Sequence, residues 1–172
     1  MVDEAAVDAI EDAWRPASRP DIPVVAGRWG ADPYPGGLFL ELLDAALRWL
    51  GGPARLCDLG AGCGGQLLRA AARGCEAWGV EIEPAWAEAG RQAGADVHCM
   101  LAEDAPLGGT VIVYLNQLYQ ATVEQAALES RIQARMDSGA LLIGANYASP
   151  PPPMWEQVFS DVPRRRGVWV KP

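Results

Sequence analysis

The order of apolar and polar positions divides the chain into a helical front and an alternating remainder. Residues 3–14 (DEAAVDAIEDAW) place Ala6, Val7, Ile10 and Trp14 at helical spacing. Asp3 and Glu4 fall in the first turn, where the helix dipole favours negative charge. The spacing predicts a short amphipathic helix with a solvated acidic face. Residues 38–50 (LFLELLDAALRWL) are apolar on most sides and predict a well-buried helix, ended by Gly51-Gly52-Pro53. Between the two, Pro16, Pro20, Pro23, Pro33 and Pro35 forbid a long helix. A connection of that length is expected to serve as a lid or binding loop.

From residue 55 the pattern alternates. Apolar, β-branched runs at 55–59 (RLCDL), 77–82 (AWGVEI), 96–101 (DVHCML), 110–115 (TVIVYL) and 140–145 (ALLIGA) predict strands. Helical spacing occupies 64–73, 84–93 and 121–137, with Pro84 at a favoured first helical position. Such alternation predicts an α/β fold, a three-layer Rossmann-like sandwich whose mostly parallel sheet has helices on both faces. After the rigid proline run at 149–153, segments 155–160 (WEQVFS) and 167–172 (GVWVKP) predict a C-terminal antiparallel hairpin that brings the sheet to seven strands. Arg164-Arg165-Arg166 is expected at its solvated tip.

Composition narrows the chemistry. A length of 172 residues fits one domain, with 1–50 as an N-terminal helical cap and acceptor-side loop and 54–172 as the core. The net charge of −8 disfavours a grip on nucleic-acid phosphates, so no nucleic-acid partner is expected. Thirteen of the 14 basic residues are arginines, and Lys171 is a poor lysine nucleophile. His98, alone of its kind, excludes multi-histidine metal sites, and no metal is expected. It reads as a structural histidine. Cys57, Cys63, Cys75 and Cys99 form no CxxC pair and read as reduced thiols of a cytoplasmic protein. No apolar run reaches about 18 residues, so no membrane span is expected. The acidic start gives no sign of a signal peptide.

The strongest chemical signal is residues 56–65 (LCDLGAGCGG), which run from strand to helix. Glycines let the backbone turn tightly and approach a ligand, and the helix start offers free N–H groups. Glu81 follows 21 residues after Gly60, at the end of the next strand, where a carboxylate can accept from both hydroxyls of a ribose. Together they imply a nucleoside-bearing cofactor. Gly60, Gly62 and Gly65 also satisfy the nicotinamide fingerprint G-x-G-x-x-G. Two features oppose that reading. Asp58, just before the glycines, would repel a pyrophosphate. The 107 residues after Gly65 are too few for a second nucleotide-binding half and a substrate domain. A glycine turn preceded by an acid suits the zwitterionic amino-acid end of S-adenosylmethionine.

These segments resemble a family. DLGAGCGG (58–65), GVEIEP (79–84), LAEDAP (101–106) and VIVYLNQLYQ (111–120) are similar to the successive motifs of class I S-adenosylmethionine-dependent methyltransferases, over roughly residues 30–172. Within it the pattern resembles the non-SET lysine methyltransferases, on Tyr34, Asn116 and the passage ALLIGANYASPPPPMW. The resemblance implies that Asp58, Gly60, Ala61 and Gly62 meet the methionine end of the cofactor. It gives Glu81 the ribose, Ile82 the adenine face, Ala102 the ring edge, and Glu103 or Asp104 the adenine amino group. Asn116 would line the methyl-transfer mouth, with Asn116, Tyr119 and Tyr34 as catalytic candidates and Gln117, Asn146 and Tyr147 nearby. Cys63 is expected to be only a small residue of the turn, and Trp29 a side chain that could stack on an acceptor. The chain lacks the Asn/Asp-Pro-Pro-Tyr pattern of enzymes that methylate base or glutamine amines. The implied acceptor is an amine on a small molecule or peptide. A small-molecule hydroxyl or acid is the rival, and a non-catalytic sensor or subunit the other alternative. A homo-oligomer or a partner chain could complete the site.

Overall fold

A computed structural model of the chain describes residues 4–13, 35–119 and 122–172. In chain order these form α1 (Glu4–Ala13), α2 (Gly36–Leu50), β1 (Arg55–Leu59), α3 (Gly65–Ala72), β2 (Glu76–Glu81), α4 (Pro84–Gln92), β3 (Asp96–Cys99), β4 (Ile112–Leu115), α5 (Thr122–Arg135), β5 (Leu141–Ala145), β6 (Glu156–Asp161) and β7 (Arg166–Val170). The strands make one sheet of order β3-β2-β1-β4-β5-β7-β6. β1 to β5 are parallel to their neighbours, and β7 runs antiparallel between β5 and β6. The expected seven-stranded architecture is present.

The strand period of two sorts side chains between two cores. Leu56, Ile112, Tyr114, Leu141, Ile143 and Val168 face a layer made by α2, α3 and α4, where Phe39, Leu42, Leu67 and Ala87 are buried. Cys57, Leu59, Val80, Val113, Leu115 and Leu142 face the other way, onto Leu128 and Ile132 of α5. The two sides are built differently. Between β3 and β4 the chain makes only a 3-10 turn (Ala102–Asp104), and between β5 and β6 it runs without a helix, so Tyr147 and Trp155 close that side against Trp169. β3 stops at Cys99, short of the expected residue 101, because the backbone turns there toward the 3-10 segment.

Two expected solvated groups are corrected. Arg166 opens β7 with its side chain 2% exposed, paired with Glu41 of α2 at 2.8 Å and Asp161 at 3.0 Å. Arg165, at φ +50°, donates from Nε to Tyr147 O at 2.7 Å but stays exposed, as does Arg164, so the expected solvated tip holds for these two. On α1 Asp8 and Asp12 are exposed as expected, and Glu11 departs from that face by being buried. Fully buried Arg69 of α3 donates to Glu11 Oε1 at 2.7 Å and also to Asp8. Trp14, Trp29 and Tyr34 lie outside the described residues.

Candidate functional site

Because β3, β2, β1 and β4 are neighbours in the sheet, their carboxyl ends fall on one rim. Open parallel sheets bind ligands at such a rim, where helix starts and strand ends leave backbone groups free. The turn after β1 holds Gly60, Gly62 and Gly64 at φ +88°, +55° and +79°. These left-handed conformations strain any residue with a Cβ. The N–H groups of Gly60 and Ala61 both donate to Val80 O, at 2.8 and 2.9 Å, which pins the turn to β2.

Glu81 closes the turn from the other side. Its Oε2 accepts from the Gly62 N–H at 2.9 Å and its Oε1 from the Glu83 N–H at 2.8 Å. Each oxygen keeps acceptor capacity, since a carboxylate oxygen takes two donors. The carboxyl is 6% exposed, and burial pushes its pKa up against the downward pull of those N–H groups.

Asp58 is the anomaly of the site. It is 2% exposed, and no described residue donates a hydrogen bond to its carboxyl. Burial, then the charges of Glu81 and Glu11, hold its pKa well above the usual carboxylate range. A buried carboxyl with no donor is costly unless a cation completes it. Cys63, inside the turn, has its thiol pushed up to about 11 by burial and by Glu11, so it stays a thiol. That accords with its expected role as a small residue.

The remaining expected residues lie along the same rim. Ile82 follows β2 directly, and Ala102, Glu103 and Asp104 form the 3-10 turn after β3. Tyr119 donates its hydroxyl to Glu103 Oε1 at 2.7 Å, so the loop after β4 is joined to that turn. Asn116 follows β4. Its Oδ1 accepts from the Gln117 N–H at 2.9 Å and from Asn146 Nδ2 at 3.0 Å. Asn146 follows β5 at φ +52°, a conformation asparagine tolerates better than most residues and one often found at working sites. Tyr34 is outside the described residues.

Some participants had no signal of their own in the sequence. Gln125 accepts from the N–H groups of Leu118 and Tyr119 at 2.9 and 3.0 Å and donates to Glu129 Oε1 at 2.9 Å. Glu129 accepts from the N–H groups of Ala148 and Ser149 at 2.7 and 2.9 Å. This buried strap ties the loops after β4 and β5 to α5. Only its i, i+4 spacing on α5 is visible in the sequence. Leu118 lies over the glycine turn, where a Cβ on Gly60 would overlap its Cδ2. Glu11 of α1 lies against Gly65, where a Cβ would overlap its Oε1. Among the described residues no group of three or more metal-ligating side chains is assembled, and no helix is long and apolar enough to cross a membrane.

No protein-family model matches the chain, and no curated protein matches it. Solved structures do resemble it. A hypothetical protein of Thermus thermophilus is 25% identical with TM-score 0.63, covering 88% of this chain and 92% of its own. An RNA methyltransferase from Salinibacter ruber, solved with S-adenosyl-L-homocysteine, is 18% identical with TM-score 0.61, covering 81% and 92%. Geranyl diphosphate C-methyltransferase from Streptomyces coelicolor A3(2), solved with Mg2+, geranyl diphosphate and S-adenosyl-L-homocysteine, is 22% identical with TM-score 0.51. That match covers 63% of this chain and 44% of the other. The chain has the Rossmann-like fold these methyltransferases share.

Proposed function

We propose that the protein is an S-adenosylmethionine-dependent methyltransferase acting on an amine-type acceptor carried by a small molecule or peptide. One observation carries the cofactor assignment: a buried carboxyl without a donor, Asp58, stands beside a glycine turn in a fold that other chains use with S-adenosyl-L-homocysteine. The residues fit the group. Asp58 offers a negative charge to its amino end, and the positive φ of Gly60 and Gly62 lets backbone come close. Glu81 has acceptor capacity for two ribose hydroxyls. Ile82 and Ala102 are apolar neighbours for the base, and Glu103 or Asp104 is an acceptor for its amino group. Leu118 now covers Gly60, so entry of the methionine end involves movement of that side chain.

When bound, S-adenosylmethionine supplies a methyl group on a sulfonium, ready for in-line displacement. The protein's part is to orient the acceptor and to exclude water. Asn116 and Asn146 stand at the ends of adjacent strands β4 and β5. The Oδ1 of Asn146 has no described donor, which makes it the acceptor for an incoming amine N–H. Fixing that N–H turns the nitrogen lone pair outward without demanding a strong base. Asn116, bridged to Asn146, holds the amide pair in register. Tyr119 acts at one remove here, because its hydroxyl already donates to Glu103. Tyr34 is carried forward as an acceptor-side residue on the sequence resemblance alone, as is the likeness to non-SET lysine methyltransferases.

The test is transfer of a labelled methyl group from S-adenosylmethionine into fractionated cell lysate. Label on amines of small molecules or peptides supports the proposal. Label on hydroxyl or acid products moves the acceptor to the rival class, and no transfer despite tight cofactor binding makes the chain a sensor or subunit. Glu81→Ala is expected to weaken binding of S-adenosyl-L-homocysteine by about tenfold or more, as loss of charge-assisted hydrogen bonds does. Unchanged affinity would remove Glu81 from the ribose.

A further inference from the structure

We infer that the acceptor carries a carboxylate or phosphate beside its amine, and that Arg165 binds that anionic group. This rests on the methyltransferase reading above and names the substrate class of that same site. The first observation is position. β7 runs antiparallel to β5, so the hairpin between β6 and β7 turns at the rim where β5 ends. Ala145 pairs with Arg166 across the sheet, and the Tyr147 N–H donates to Arg165 O at 3.2 Å. The Arg165 side chain folds back over the same stretch. Its Nε donates to Tyr147 O at 2.7 Å, and its Nη2 donates to Tyr147 O and, at 3.3 Å, to Asn146 O. A guanidinium thus stands against the backbone of Asn146, the residue whose Oδ1 is assigned to the acceptor's N–H.

The acids around the hairpin are already engaged elsewhere. Asp161 holds Arg164 and Arg166 at 3.0 Å each, and Glu41 holds Arg166 at 2.8 Å. Glu129, which reaches the loop after β5, is buried with its oxygens on the Ala148 and Ser149 N–H groups. No carboxylate among the described residues pairs with Arg165, and its Nη1 has no described acceptor. Bonds to two carbonyls fix the plane of a side chain that is still exposed. A planar guanidinium held in one orientation loses little freedom on meeting a carboxylate or phosphate, whose geometry it matches. The backbone supplies a second, independent sign. Arg165 stands at φ +50°, in the left-handed region that glycine takes without steric cost. Non-glycine residues held there cluster at ligand-binding and active sites. Pinning the hairpin to the Asn146 turn accounts for Nε and Nη2, and leaves Nη1 for a ligand.

The test uses the full chain, labelled S-adenosylmethionine and cell lysate. Labelled amines are expected to be retained on an anion exchanger at neutral pH. Methyl esterification should release those held by a carboxylate, and phosphatase those held by a phosphate, which tells the two sources apart. With a labelled acceptor purified, Arg165→Gln is expected to raise its KM about tenfold while kcat stays within about twofold. Arg165→Lys, which keeps the charge, should recover part of that loss. The acceptor with its acid group neutralised should give one KM with wild type and with Arg165→Gln, which a merely structural hold on the Asn146 turn would not do. Arg164→Gln, whose parent is paired with Asp161, should shift KM by less than about twofold. Should Arg165→Gln fail to fold by far-UV circular dichroism, wild type alone decides, with a KM for the acid form about tenfold below that for the neutralised form. Labelled amines without an acid group, equal KM of wild type for the two forms, an unaltered KM in Arg165→Gln, or an equal loss in Arg164→Gln would each overturn the inference and leave the methyltransferase reading standing. Wild type that binds S-adenosyl-L-homocysteine yet transfers no label would defeat that reading, and this inference with it.

Discussion

Replacing Asp58 with asparagine separates function from stability, because it moves the two in opposite directions. Asparagine keeps the shape and removes the charge. Binding loses a charge-assisted hydrogen bond to the ligand's ammonium, worth about 1.5–3 kcal/mol. At 1.4 kcal/mol per decade, affinity for S-adenosyl-L-homocysteine is expected to fall about 10- to 100-fold. Stability of the unliganded protein goes the other way. The Asp58 pKa is raised in the folded state above its ordinary value of 3.8, by burial first and then by Glu81 and Glu11. Below that value both states hold the proton and nothing is lost. As pH rises past it, the unfolded chain ionises while the folded carboxyl does not, so stability falls by up to about 1.4 kcal/mol per pH unit until the folded pKa is reached. Asp58→Asn escapes that loss. Its melting temperature should match wild type near pH 4 and exceed it increasingly toward neutrality, by about 2–4 °C per kcal/mol for a chain of this size. Ligand binding to wild type should accordingly release a proton and tighten as pH rises. Scanning calorimetry across pH, with isothermal titration of S-adenosyl-L-homocysteine, reads both effects. A variant that binds as tightly as wild type, or that melts lower at neutral pH, refutes the assignment of Asp58 as a carboxyl held in reserve for a cation.

Other perturbations test neighbouring parts of the site. Gly60→Ala places a Cβ at φ +88° and against Leu118, so the variant should lose about 1–2 kcal/mol of stability in denaturant titration and bind cofactor poorly. Adding Leu118→Ala should restore part of the stability by removing the overlap, but not the part owed to backbone strain. Arg69→Leu removes a wholly buried cation that pairs with Glu11 and should cost about 3–5 kcal/mol, visible as a lowered denaturant midpoint. Once an acceptor is found by label transfer, Asn116→Ala should lower turnover about 10-fold or more while cofactor affinity changes little, as loss of acceptor orientation does. Equal turnover would return Asn116 to capping the Gln117 turn.

Much of this protein is local, and what is local can be read from the chain. Two periods, 3.6 and 2, mark α2, the five parallel strands and the hairpin, because each element must present one apolar face to a core whatever its neighbours are. The glycine turn, Asp58 before it and Glu81 one strand later also follow from short-range chemistry, since positive φ and free helix-start N–H groups are properties of a few consecutive residues. Element ends are less local: β3 stops at Cys99 because the backbone turns early, a matter of the chain around it. The pairings that complete the site join residues far apart in sequence. Arg69 reaches back 58 residues to Glu11, Asn116 meets Asn146 across 30, and Glu129 holds the loop 19 residues ahead. A charge in sequence does not reveal its partner. Glu11 of α1 and Arg166 of the hairpin therefore look solvated until the fold brings Arg69 and Glu41 against them. The sequence determined that a nucleoside site could exist at the end of β1. The tertiary structure decided which carboxyls are shut away from water there, because burial is a property of the whole fold and not of a few consecutive residues.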